Sequence, residues 1–130
     1  MNAPLAHAAL TPSVAATLDV LAAEIELAGA RCISLDRIVG SVMDGLPDAQ
    51  REQLIHGLHG VDLLAQHLTS LAAFARGMSL AVPEEVAAPV AHALADVTLG
   101  ALVERMALGL GGSRSDDDGD DSDAGDLDLF

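Results

Sequence analysis

Val14, Leu18, Leu21, Ile25, Ala28, Cys32, Leu35, Val39, Val42 and Leu46 follow one another in steps of four and three without a break. A strand repeats every two residues, so a 4-3 alternation of this length excludes sheet and prescribes a helix with one apolar seam. A second seam follows in the same rhythm: Leu54, Leu58, Val61, Ala65, Leu68, Ala72 and Ala75, widened by Leu64 and Leu71. Two such helices cover their seams by packing side by side. The expected fold is all-α: a long antiparallel helical hairpin, one or two short C-terminal helices and a disordered acidic tail.

Local signals set the expected boundaries. Thr11 can cap a helix N-terminus, with Pro12 in its first turn. Gly29 and Gly40 each cost up to about 1 kcal/mol against Ala in a helix. The apolar phase runs through both, which favours one helix over residues 12–45. "GLPDAQ" stops the pattern, and Pro47 can begin a second helix reaching Met78. "AVPEEV" restarts a helix from Pro83, with acids in its first turn. It is expected to end by Ala95, and another helix should span residues 98–108. "GLGGSRS" reads as a flexible linker. The Asp-rich run of residues 116–128 cannot bury enough surface to fold. The chain divides into a flexible start (1–10), a helical domain (11–109), an acidic linker (110–126) and an apolar tip (127–130).

Composition narrows the functional classes. The formal charge is −14, from 20 acidic and 6 basic residues. No basic patch is available for phosphate, so neither nucleic acid nor an anionic membrane is an expected partner. The single Cys32 rules out an intramolecular disulfide and a cysteine-based zinc site. "MNAPLAHAALTPS" lacks the basic start and apolar run of a signal peptide, and no uncharged apolar run reaches spanning length. The expectation is a soluble, cytoplasmic protein. With two Phe and no Trp or Tyr, an Ala-rich core yields little free energy per residue. A second copy is therefore expected to complete it, as a homodimer.

Three features carry candidate chemistry. In "GVDLLAQHL", Asp62 and Gln66 stand one helical turn apart beside the seam, with His59 a turn earlier on the same stripe. A Gln amide can orient a water and an Asp can engage an ammonium group; both acts serve attack of water on a phosphoryl group. In "LIHGLHGVD", His56 and His59 fan over more than one face, so no metal is expected there. The third feature is the C-terminal tip, Asp126, Leu127, Asp128, Leu129 and Phe130. Its apolar residues on a charged tether can fill a groove on another protein.

Asp62-Leu63-Leu64-Ala65-Gln66, in mid-helix, resembles the D-L-T-G-Q active-site words of the CheZ chemotaxis phosphatases, with Leu64 and Ala65 in place of Thr and Gly. The layout is similar too: helical hairpin, linker, and a C-terminal end in which "DLDLF" stands for acidic residues, leucines and Phe. The resemblance implies a dimeric four-helix bundle that binds a response-regulator receiver domain and promotes its dephosphorylation. Gln66 would orient the water and Asp62 would engage the receiver's Lys. Leu127, Leu129 and Phe130 would dock. Mg2+ would sit on the receiver, so the chain itself would need no cofactor. Two other resemblances compete. His56-Gly57-Leu58-His59-Gly60 resembles the H-x-L-x-G core of histidine phosphotransfer domains, which implies phosphorylation at His56. Leu127-Asp128-Leu129-Phe130 is similar to the last four positions of the Q-L-x-L-F peptide that binds the bacterial sliding clamp. That implies a non-enzymatic adaptor.

Overall fold

The structure, a computed structural model, describes residues 10–112. Four helices follow in order: α1 (Val14–Met43), α2 (Asp48–Ala81), α3 (Ala91–Ala95) and α4 (Gly100–Gly109). Among the described residues there is no strand. The fold is all-α, with α1 and α2 as a long antiparallel hairpin and two short helices behind them. α1 is continuous through Gly29. Its N-cap is Ser13, two residues later than Thr11, because the Ser13 Oγ accepts the Ala16 N–H at 3.0 Å. At the hairpin turn Arg51 reaches back to α1. Its Nε donates to the Met43 carbonyl at 3.3 Å and its Nη2 to the Leu46 carbonyl at 3.2 Å. The Met43 carbonyl is one that the helix end leaves without an intrahelical partner, and Leu46 lies in the turn itself.

The contact between the two long helices departs from the expected seam. On α2 the buried residues are Ala65, Ala72, Ala75 and Ser79, in or near the seam. On α1 they are Ala15, Ala22 and Gly29, each one position beyond a seam residue and seven residues apart. Small side chains let the backbones approach: a Cβ placed on Gly29 would lie 3.7 Å from the Leu68 Cβ and 4.0 Å from the Ala65 carbonyl oxygen. α1 is thus turned by about one residue, or roughly 100°, from the orientation its larger residues would choose. Leu18, Ile25, Cys32, Leu35 and Val39 are left half-buried, and Leu21 and Val42 are exposed. Buried Ser79 fastens the same line, its Oγ donating to the Ala15 carbonyl at 2.9 Å.

After α2 the chain doubles back along the start of α1. Residues 83–89 are not helical, contrary to the expected restart at Pro83. The Val14 N–H donates to the Val86 carbonyl (2.8 Å) and the Ala88 N–H to the Pro12 carbonyl (3.1 Å). Extended pairing with the N-terminal approach thus replaces the helix, and α3 begins only after Pro89. Val90, Leu94, Ala107 and Leu110 form a second small core, with Leu10, Val20 and Met106 packed on it. Arg105 of α4 clamps Glu24 of α1 through two hydrogen bonds of 3.0 and 2.9 Å. Gly111, at φ 95°, closes α4, and the Gly112 N–H returns to the Ala107 carbonyl at 2.8 Å. The beginning of the expected linker is therefore a helix cap.

Candidate functional site

Asp62 and Gln66 lie near the middle of α2, both exposed. The Gln66 Nε2 donates to the Asp62 Oδ2 at 2.9 Å. An ionised carboxylate only accepts, so the NH2 end of the amide must face Asp62 and the amide oxygen must face away. The result is a fixed acceptor next to a carboxylate.

Their place around the hairpin follows from the ion pairs. Arg76 of α2 bonds Glu26 and lies 3.5 Å from Asp19, both on α1. At about 100° per residue, Asp19 and Glu26 fall to one side of Ala22, and Arg76 falls to the corresponding side of Ala72. Asp62 and Gln66 fall on the Arg76 side of α2. The pair therefore belongs to the polar face of the hairpin.

A hollow of about 280 Å3 opens beside Asp62, lined by Asp36, Ile55, Leu58, His59 and Asp62. Asp36 comes from α1 and was not singled out in the sequence. The signal was there: Asp36 is the next member of the seven-residue series Ala15, Ala22, Gly29, where a small apolar residue would have continued the close contact. His59 shares the hollow with Asp62, as its spacing implied. His56 is exposed but sits on the outer side of α2, away from the hollow. Among the described residues no group of three or more His, Cys, Asp or Glu side chains is arranged to hold a metal ion. No described helix is long and apolar enough to cross a membrane. Asp126, Leu127, Asp128, Leu129 and Phe130 lie outside the described residues.

Fold and site together define a small helical-hairpin protein presenting a solvent-facing carboxylate–amide pair on its polar face. The chain belongs to the family described as Domain of unknown function (DUF8776), whose model matches residues 11–130. No curated protein and no solved structure matches it.

Proposed function

We propose that this chain is a helical regulator of two-component signalling, of the kind used in chemotaxis, that binds a response-regulator receiver domain and promotes loss of its phosphoryl group. The observation that carries the reading is the Asp62–Gln66 pair: exposed, mid-helix, and locked by a 2.9 Å hydrogen bond with the amide oxygen turned outward. Asp62 pairs with an ammonium group beside the receiver's aspartyl phosphate. The Gln66 amide oxygen accepts a hydrogen bond from a water and aims it at phosphorus. A bond forms between the water oxygen and phosphorus. The bond from phosphorus to the aspartyl oxygen breaks, giving phosphate and a free carboxylate. Positioning supplies most of the acceleration in such a reaction. The receiver contributes the Mg2+, and the chain tip of residues 126–130 adds a second contact that raises the local concentration of the first.

The test uses purified phosphorylated receiver domains from the genome that encodes this chain, assayed for phosphate loss with and without the full-length protein. Gln66→Ala should keep binding and lose the acceleration. Acceleration undiminished in that variant would sink the proposal. Label that moves onto this chain, and disappears in His56→Gln, would assign phosphotransfer instead.

A further inference from the structure

The hairpin buries little of its own apolar surface, and part of what it leaves open is ordered: Ile33, Ile38, Ile55 and Leu63 are scattered elsewhere, while one side carries continuous rows. Among the described residues no large side chain is fully buried, and the buried apolar side chains of α1 and α2 are all Ala. Because Arg76 marks the polar side, the opposite side of the same contact line can be read off each helix. On α1 it holds Leu18, Leu21, Ile25, Ala28, Cys32, Leu35, Val39 and Val42, which is the 4-3 seam itself. On α2 it holds Gly57, Val61, Leu64, Leu68, Leu71, Ala75 and Met78. No charged residue interrupts either row.

We infer that this face is closed by a second copy of the chain, giving a four-helix assembly whose two Asp62–Gln66 pairs stay on the outer, polar faces. The inference is independent of the proposed phosphatase role. Leu21, Val42, Leu64, Leu71 and Met78 are 40–58% exposed, and neighbouring Phe74 is 69% exposed. At roughly 200 Å2 for a whole large side chain, these six leave on the order of 600 Å2 open. The half-buried members of the two rows bring that toward the ~800 Å2 that each partner of a stable complex covers. A monomer rarely exposes a continuous apolar patch of that size. The occupant must present an apolar face of the same length and heptad spacing, free of charge. The chain's own face meets that requirement, and a two-fold axis makes such a surface self-complementary. The turned orientation of α1 acquires a reason as well: small residues join the hairpin, and the larger seam is kept for the second contact.

Light scattering on the full chain should give twice its 13.2 kDa, and the thermal midpoint should rise with protein concentration, as dimer melting requires. Leu64→Glu/Leu71→Glu should halve the mass or abolish that concentration dependence. Ile33→Glu, an equally exposed apolar site on the polar side, should leave both unchanged. A folded wild-type chain that keeps the mass of one copy at all concentrations would overturn the inference, even if another protein then bound the face. So would a Leu64→Glu/Leu71→Glu protein that stays dimeric. Should that variant unfold, the concentration dependence of wild-type melting decides the question alone.

Discussion

Arg76 of α2 holds Glu26 of α1 through two parallel hydrogen bonds, Nε to Oε1 at 2.7 Å and Nη2 to Oε2 at 2.9 Å. The guanidinium, bonded to the carboxylate, lowers the Glu26 pKa below its ordinary 4.5. A carboxyl depressed by folding stabilises the native state above its unfolded value, and that contribution is lost as pH falls through the folded value. The pair is exposed, so solvent screens most of it. The expected outcome is a shallow loss of thermal stability below pH 4.5, smaller in Arg76→Gln than in the wild type. Melting curves across the acid range at low and high salt check it; equal slopes in the two proteins would show that the pair adds nothing.

Gly29 offers a sharper test of the small-residue contact. An added methyl would meet Leu68 at 3.7 Å and the Ala65 carbonyl oxygen at 4.0 Å, which is ordinary van der Waals distance. Gly29→Ala therefore fits, and it removes a helix-interior glycine, worth about 0.5–1 kcal/mol. Gly29→Leu cannot fit without separating the helices and should cost about 1–3 kcal/mol. Urea unfolding at one fixed protein concentration separates the two. Stabilisation by Leu would mean that the helices do not approach closely there.

At the turn, Arg51 spans two carbonyls with one planar fork, Met43 at 3.3 Å and Leu46 at 3.2 Å. Lys brings a single ammonium point and cannot reproduce that reach. Arg51→Lys should behave nearly like Arg51→Ala, each losing roughly 0.5–1.5 kcal/mol, with amide exchange quickening at the end of α1 before it does at the middle. Full retention of stability by Lys would reduce Arg51 to a surface charge.

The hairpin was legible because the 4-3 rhythm spans both helices and survives Gly29, where propensity alone would have broken α1. What the rhythm does not say is which of two adjacent rows faces the neighbour. Val14, Leu21 and Ala28 compete with Ala15, Ala22 and Gly29, and backbone approach favours the smaller row. Periodicity rewards the larger one. The restart at Pro83 failed for a related reason. Glu84 and Glu85 suit a first helical turn, but the Val86 carbonyl and the Ala88 N–H find partners in the N-terminal approach, far away in sequence. The spacing of Asp62 and Gln66 was readable because both lie on one helix. Asp36 continues the series of Ala15, Ala22 and Gly29, but that series points to the hollow only once it is the row that faces α2, which depends on how α1 is turned.

Asp62→Asn isolates the charge at the candidate site. The amide is close to isosteric with the carboxylate, and its oxygen can still accept from the Gln66 Nε2, so the local geometry has a means to persist. Only the negative charge goes. Stability should hardly change, because the pair is exposed and the bond lies within one helix turn. Under the proposed function, binding to a phosphorylated receiver should weaken and lose part of its salt dependence, since the ammonium group would meet a dipole in place of a charge. Gln66→Ala should instead leave binding and its salt dependence intact while dephosphorylation slows. Titrations of both variants against the receiver at several salt concentrations, paired with phosphate-release rates, distinguish these effects. If both variants change binding alone and by the same factor, the two side chains serve as contact surface and the water-positioning role falls.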